Sequence, residues 1–319
     1  MDLPLVSVII PARNAERSLP RAVESVLQQS WAGPLEIIVA EGRSTDGTRA
    51  SLSRFGDRVQ VVDNPSGLTA DGLNAAIAAS EGEIVVRCDA HAWLPPDYIQ
   101  TAVSILEETG AANVGGVQHA VGNGLWERVV AAAQSTPLGV GDARYRLGGE
   151  AGEVDTVYLG VFRRSALEAV GGFDSRFVRN QDYELNWRLR NAGEIIWFDP
   201  RLSVDYTPRS SLRSLGRQYL DYGRWKRRML ELHPGSLRLR QVAAPALVVG
   251  LLMSLAIAPL RPRLAAFVPG AYLVALLGTA SVEAVRRKDP ALLLLPAAIP
   301  VMHLSWGTGF LIGQRTAIR

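Results

Sequence analysis

Glu41, Asp46, Asp89 and His91 carry the side chains best placed to handle a charged ligand, because each falls just after a short apolar, β-branched run. Two of those runs are LEIIVA at 35–40 and IVVRC at 84–88, with LVSVII at 5–10 ahead of them, and the three following loops read EGRSTDG, DAHAW and PARN. A carboxylate at a strand end, followed two residues later by a second ligand, can hold one divalent cation, and that cation neutralises a diphosphate. Asp89 and His91 have this spacing. Spacing alone leaves open the plainer alternative that Asp89 caps a turn and His91 is an ordinary loop histidine.

Bringing such loops together requires a sheet. Further runs at 59–63 (VQVVD) and 113–118 (NVGGVQ) alternate with stretches of helical composition at 15–29, 46–55, 69–80 and 97–109, Thr69 being a suitable N-cap for the third. The alternation predicts an α/β domain with a mostly parallel sheet, in which ligands bind outside the carboxyl ends of the strands. After residue 120 the pattern changes to a helix at 125–135, a Gly-rich loop at 139–152, a strand near 154–160 and a helix at 180–192.

From residue 242 the chain turns apolar. Uncharged runs at 242–258, 264–282 and 291–312 predict three membrane spans. Each contains proline, so kinks or a hairpin within one leaflet are an alternative to full crossings. Ahead of them, 210–233 is basic and interleaved with Leu, Tyr and Trp, as an interfacial helix would be, or an ordinary solvated one. Arg286, Arg287 and Lys288 lie between the second and third runs; the positive-inside rule puts them with residue 241 in the cytoplasm, although Arg261 and Arg263 then fall outside. The expected organisation is an α/β domain at 1–208, a basic interfacial segment at 209–240 and a membrane domain at 241–319.

With 319 residues and 48% hydrophobic composition, disorder is excluded as the dominant state. One cysteine, Cys88, and four histidines exclude a disulfide framework or a zinc-finger scaffold. The net charge of +3 hides an asymmetry: residues 1–208 hold 18 Lys+Arg against 27 Asp+Glu, giving −9, and residues 209–319 hold 16 against 4, giving +12. The acidic part is a poor nucleic-acid platform, and the basic, apolar part suits anionic membrane lipids. The start, MDLPLVSVII, lacks the cationic region and long apolar run of a signal peptide, which predicts a cytoplasmic N-terminal part.

VSVIIPARN at 6–14, IIVAEGRSTDGT at 37–48, GLNAAIAASEGEIVVRCDAH at 72–91, GGFD at 171–174 and NQDYELNWRLRNAG at 180–193 together resemble family-2 glycosyltransferases of the GT-A fold across residues 5–200. DAH in place of Asp-x-Asp, and YTPRSSLRSLGRQYLDYGRWKRR at 206–228 ahead of apolar runs, are most similar to the bacterial succinoglycan-type exopolysaccharide glycosyltransferases. The resemblance implies a nucleotide-sugar site lined by Pro11, Ala12 and Asn14 with Glu16 beyond. It makes Glu41, followed by Arg43, the acidic contact to the base, with Asn74 near the same pocket and Asp71 a weaker neighbour. Asp89 then matches the first aspartate of Asp-x-Asp and His91 its metal-binding second. Asp182 matches the catalytic base, with Gln181 where the family has glutamate. Gln218 and the Arg224-Trp225 pair are similar to a Gln-x-x-Arg-Trp acceptor motif, at a longer spacing. Considered alone, Asp182 has a structural alternative, since a carboxylate at a helix start stabilises it by about 0.3–1 kcal/mol.

The expected function is a membrane-anchored, inverting glycosyltransferase of exopolysaccharide or cell-envelope glycan synthesis, multi-pass in the cytoplasmic membrane with its catalytic domain in the cytoplasm. Its donor is a nucleoside-diphosphate sugar, UDP-glucose first, and its acceptor a hydroxyl of a saccharide on a polyprenyl diphosphate. Arg213, Arg217, Arg224, Lys226, Arg227 and Arg228 are placed to pair with that lipid diphosphate. A divalent metal, Mn2+ or Mg2+, is the expected cofactor, and an imidazole ligand favours manganese. Rival readings are a polyprenyl-phosphate sugar synthase and a non-catalytic membrane scaffold with a degenerate site. A Rossmann oxidoreductase fits poorly, because the first strand leads into PARNAE and not a Gly-x-Gly-x-x-Gly turn.

Overall fold

The β-branched runs form strands, as their stiffness at χ1 favours, in a computed structural model that describes residues 3–314. The first stretch alternates regularly: β1 (Val6–Ala12), α1 (Leu19–Leu27), β2 (Leu35–Glu41), α2 (Thr48–Leu52), β3 (Gln60–Asp63), α3 (Thr69–Ala78), β4 (Ile84–Arg87), α4 (Tyr98–Thr109) and β5 (Asn113–Ala120). There follow α5 (Leu125–Ala133), α6 (Pro137–Val140), α7 (Arg144–Leu147), β6 (Gly152–Glu153), β7 (Tyr158–Arg163), α8 (Arg164–Ala169), α9 (Gln181–Asn191) and β8 (Ile196–Tyr206). The remainder is helical, with α10 (Leu212–Leu232), α11 (Ala243–Ile257), α12 (Pro262–Ala265), α13 (Phe267–Arg286) and α14 (Leu295–Ile312).

The eight strands form one sheet in the order β3-β2-β1-β4-β7-β5-β8-β6. β1 pairs in parallel with β2 and β4, and β2 with β3, whereas β7 runs antiparallel to β4 and β5, and β6 to β8. Helices cover both faces of the parallel part, so the middles of β1, β2 and β4 are mostly apolar. Val8, Ile10, Val39 and Val86 pack on one face with Val23 of α1 and Ile99 of α4. Ile9, Ile38 and Val85 pack on the other with Leu73 of α3 and Leu185 of α9.

Three strands depart from the sequence expectation. β6 forms where the Gly-rich loop 139–152 is expected to end, β7 begins at Tyr158, later than the run near 154–160 suggests, and β8 lies outside the expected strands. Asp199, Pro200 and Arg201 interrupt the apolar pattern of β8; Asp199 is nonetheless buried, accepting from Arg201 N at 2.9 Å and Nε at 3.0 Å.

The chain clusters into two compact units that are not consecutive in sequence. One is Met1–His119 with Gly148–Asp205, and the other is Ala120–Leu147 with Tyr206–Arg319. In the second unit α5 packs with the C-terminal helices around Val129, Ala133, Leu215, Leu276, Leu295 and Ile299. The described helical segments Leu239–Ile257, Pro262–Arg286 and Pro290–Ile312 are each long and apolar enough to cross a membrane.

α10 buries one face, formed by Leu215, Tyr219, Gly223, Lys226 and Met229, and packs along α14. A Cβ on Gly223 would lie 2.0 Å from the Trp306 carbonyl oxygen, and one on Gly309 would lie 2.1 Å from that of Leu220. The two backbones therefore touch where these glycines sit. Lys226, expected among the cations facing a lipid, is instead buried, and its Nζ donates to Ser236 O at 2.8 Å. Burial turns it inward because an unpaired ammonium there would be costly. His303 of α14 meets the Tyr272 hydroxyl of α13 at 2.8 Å through Nδ1.

Candidate active site

Parallel pairing aligns the strand ends. Ala12 lies opposite Glu41, Glu41 opposite Asp63, and Ile9 opposite Arg87, so the loops after β1, β2 and β4 leave the same edge of the sheet. Asn14, Arg43 and Asn180 adopt left-handed backbone (φ 51°, 54° and 62°) in the segments that reach this edge. Non-glycine residues are held in that region only where surrounding contacts enforce it.

Arg87 closes β4 with a guanidinium that is only 6% exposed, set between two carboxylates. Its Nε and Nη2 donate to Asp89 Oδ1 at 3.0 and 2.9 Å, and its Nη1 pairs with Asp182 Oδ1 at the start of α9. One cation cannot neutralise both acids, so they differ. At Asp89 burial raises the proton affinity, but Arg87, and His91 behind it, overcome that and hold the carboxyl below its ordinary range. At Asp182 burial, reinforced by the Asp89 charge and only partly offset by Arg87, pushes the carboxyl above its ordinary range. Asp182 Oδ2 takes no bond among the described residues, and its side chain stays 40% exposed. Asp89 Oδ2 is likewise clear of Arg87, and His91, two residues on, is exposed.

Other residues singled out in the sequence divide by what they touch. Glu41 is 5% exposed; its Oε1 accepts from Ser44 N at 2.7 Å and its Oε2 lies 3.6 Å from Arg49 Nη1. Burial opposes its ionisation, yet the Ser44 hydrogen bonds and the Arg49 charge keep its carboxyl below the ordinary range. Asn14 and Glu16 brace the loop after β2: Thr45 N donates to Asn14 Oδ1 at 2.8 Å and Gly47 N to Glu16 Oε2 at 3.1 Å. Asp46 accepts from Glu16 N at 3.3 Å and from Thr48 N at 3.0 Å, closing the same brace. Pro11 is partly exposed and Ala12 buried at the end of β1, Arg43 is exposed, and Asp71 lies partly exposed in the first turn of α3.

Asn74 grips the GGFD turn, donating to Phe173 O at 2.7 Å and accepting from Phe173 N at 2.8 Å. Arg188 grips it from α9, through Gly172 O at 2.7 Å, while its Nε holds Glu184 Oε1 at 2.7 Å. This turn therefore fixes where α9, and with it Asp182, meets the sheet. Gln181 is buried beside Asp182. Cys88 is fully buried, and burial pushes its thiol up, which suits an inert filler. Gln218, Arg224 and Trp225 fall on α10 in the other unit, where Gln218 Nε2 donates to Tyr222 Oη at 3.1 Å and Arg224 Nη1 lies 3.6 Å from Asp221. The residue that sequence reasoning missed is Arg87. Its signal was a charge closing a four-residue strand that is otherwise Ile-Val-Val.

Among the described residues no group of three His, Cys, Asp or Glu side chains converges as a ready-made metal site. Asp89 Oδ2 with the His91 imidazole is a two-ligand set, which fits a cation completed by a ligand's phosphate oxygens and water.

Residues 7–171 match the family described as Glycosyl transferase family 2. The succinoglycan biosynthesis protein ExoA of Rhizobium meliloti (strain 1021) is 31% identical over 312 residues, covering 95% of this chain and 93% of the relative. A Methanococcus voltae relative, dolichyl N-acetyl-alpha-D-glucosaminyl phosphate 3-beta-D-2,3-diacetamido-2,3-dideoxy-beta-D-glucuronosyltransferase, is 24% identical over 70% of this chain and 74% of its own length. Among solved structures, the mannosyltransferase PcManGT from Pyrobaculum calidifontis, in complex with GDP-Man and Mn2+, aligns with a TM-score of 0.60 at 20% identity, over 95% of this chain and 87% of that one. That likeness is one of fold, and the sequence matches carry the assignment: the chain belongs to glycosyl transferase family 2, with a GT-A catalytic fold.

Proposed function

We propose that this glycosyltransferase is membrane-anchored and inverting, and moves a sugar from a nucleoside-diphosphate sugar to a hydroxyl of a polyprenyl-diphosphate-linked saccharide, with Asp182 as the base. One observation carries the assignment: Asp182 is tethered through Oδ1 by Arg87 while Oδ2 is free at the loop-bearing edge of the sheet. The acceptor O–H gives its proton to Oδ2, and its oxygen attacks the anomeric carbon on the face opposite the diphosphate. The bond to the diphosphate breaks and the nucleoside diphosphate leaves with the electron pair. A positioned base of this kind contributes roughly 10²–10⁴-fold. Glu41, kept ionised in its buried niche, contacts the base of the nucleotide, and Arg43 and the Pro11–Ala12 strand end line the donor. UDP-glucose is the first donor to test, with GDP-mannose beside it because the Pyrobaculum calidifontis structure holds GDP-Man. Asp89 and His91 would hold a divalent cation, which when bound neutralises the leaving diphosphate.

Contacts within the helical unit support the membrane reading. Arg240, at the start of the first apolar segment, pairs with Asp142 at 2.9 Å. Asp289, between the second and third, pairs with Arg128 at 3.0 Å, and Arg287 Nη2 reaches Ser135 Oγ at 3.1 Å. Segment 120–147 thus meets the beginning of the first span and the loop between the other two, an arrangement that three full crossings satisfy. The names of the relatives support the pathway class, one being a succinoglycan biosynthesis protein and another being named for a dolichyl phosphate-linked sugar.

The test is Asp182→Asn in detergent-solubilised protein supplied with lipid extract. Nucleotide-sugar affinity should stay within a few-fold while turnover drops roughly 10²-fold or more. Turnover comparable to wild type would refute the base and favour an already ionised nucleophile, a polyprenyl phosphate.

A further inference from the structure

The segment 120–147 carries an arginine that the chemistry above does not use. Arg146, on the single turn α7, sets its guanidinium carbon 5.6 Å from the ring centroids of both Tyr145 and Tyr206, and its Nη1 donates to Gln134 Oε1 at 3.3 Å. Tyr219 and Tyr222 of α10 lie close enough to couple electrostatically to it, and their rings meet edge-on at 5.6 Å. Among the described residues no carboxylate pairs with this guanidinium. All of these side chains belong to the helical unit.

Two buried polar atoms in the same cluster are not fully satisfied. Gln134 is 1% exposed, and of the two N–H groups on its Nε2 one has only the Tyr219 hydroxyl, off ideal geometry, and the other has no acceptor; Gln218 Oε1 accepts from nothing, although its Nε2 reaches Tyr222 Oη at 3.1 Å and Tyr206 Oη at 3.5 Å. Buried donors and acceptors are rarely left unpaired in native proteins. Here an arginine without a carboxylate, an amide with an unused N–H and several phenols converge, with one idle acceptor beside them. Guanidinium groups bind planar oxyanions through paired N–H donors, and aromatic rings with amides are suited to sugars.

We propose that Arg146 and Gln134 Nε2 form an oxyanion subsite for the phosphate of the acceptor, and that Gln218 Oε1 accepts a hydrogen bond from a hydroxyl of the saccharide attached to it. The subsite rests on the acceptor reading above only for the source of that phosphate, a lipid carrier or a soluble ester. Arg146 as a residue is partly exposed. The arginine next along in the acceptor motif inferred from sequence, Arg224, faces Asp221 instead.

The full chain in detergent micelles, titrated calorimetrically with farnesyl diphosphate and separately with inorganic diphosphate, tests this without any turnover. Farnesyl diphosphate should bind, Arg146→Gln should weaken it at least tenfold, and Arg146→Lys should restore part of the loss. Gln134→Glu is close to isosteric and supplies the missing carboxylate beside the guanidinium. It should abolish the same binding while the thermal midpoint is kept or raised, which separates loss of the site from loss of the fold. Tighter binding of farnesyl than of inorganic diphosphate assigns the phosphate to a lipid carrier, and equal Arg146-dependent binding assigns it to a soluble ester. If neither variant changes either affinity, or if wild type binds neither compound, Arg146 is only a packing residue and the subsite is refuted. Asp182→Asn should bind farnesyl diphosphate as wild type does, so failure of the subsite and failure of the proposed base are read in different experiments.

Discussion

A single guanidinium between two acids leaves them with opposite shifts in proton affinity. Arg87 gives Asp89 two hydrogen bonds and leaves Asp182 with one, so burial, reinforced by the Asp89 charge and only partly offset by Arg87, raises the proton affinity of Asp182. A base whose carboxyl titrates above its ordinary range is protonated and idle on the acid side, so kcat/KM should fall as pH drops through that raised value. In Arg87→Gln the cation that lowers it is gone, and the acid limb of the pH profile should move to higher pH. Arg87→Lys should move it part of the way back. An unchanged acid limb in Arg87→Gln would detach Asp182 from this control. The same variant leaves two crowded carboxylates uncompensated. Its stability loss should lie at the lower end of about 3–5 kcal/mol, because Asp182 is 40% exposed and screened by water, as a thermal melt in detergent would register. At this scale type and position alone single out Glu41, Asp89 and His91 as candidates, whereas Asp182 enters only through the family resemblance. The brace made by Asn14 and Glu16, and the grip of Asn74 on a backbone 99 residues away, were not, because side-chain hydrogen bonds over such separations leave no trace in local pattern.

Strands buried on both faces read as continuous apolar runs, which is why β1, β2 and β4 were visible in the sequence. β8 was hidden because its ion pair and proline sit where apolar alternation should be. Helix packing in the second unit shows a further limit. The contact of α10 with α14 depends on residues that have no side chain, and hydrophobic periodicity is blind to them. Gly223→Ala would put a methyl 2.0 Å from the Trp306 carbonyl, so the helices must part. Overpacking of this kind costs about 1–3 kcal/mol, and the loss should reach at least the top of that range because the obstacle is backbone. Gly270→Ala, with nothing within 4 Å of the new atom, is the control and should melt close to wild type. Equal melting of the two variants would contradict the close crossing.

Across the whole molecule, the charge reversal between residues 1–208 and 209–319 falls close to the chain boundary at Asp205 and Tyr206 between the two compact units. The assignment of 120–147 to the helical unit was not legible, since that segment is neither unusually basic nor apolar and joins its partners through contacts such as Arg128 with Asp289. Three crossings that begin on the side of segment 120–147 put the end of the third span on the opposite side. A reporter fused after residue 319 should then be active only outside the cytoplasm, and activity confined to the cytoplasm would favour a hairpin. The backbone contact between α10 and α14 also bears on how the chain is made. α14 is the last described helix, and α10 precedes it by more than 60 residues of chain. During translation the sheet can assemble as soon as residue 206 has left the ribosome, but α10 and segment 120–147 must wait for the third apolar segment to be made. Until then Tyr219, Leu215 and Val129 lack their cover, and a stalled or truncated chain would present them to chaperones and proteases.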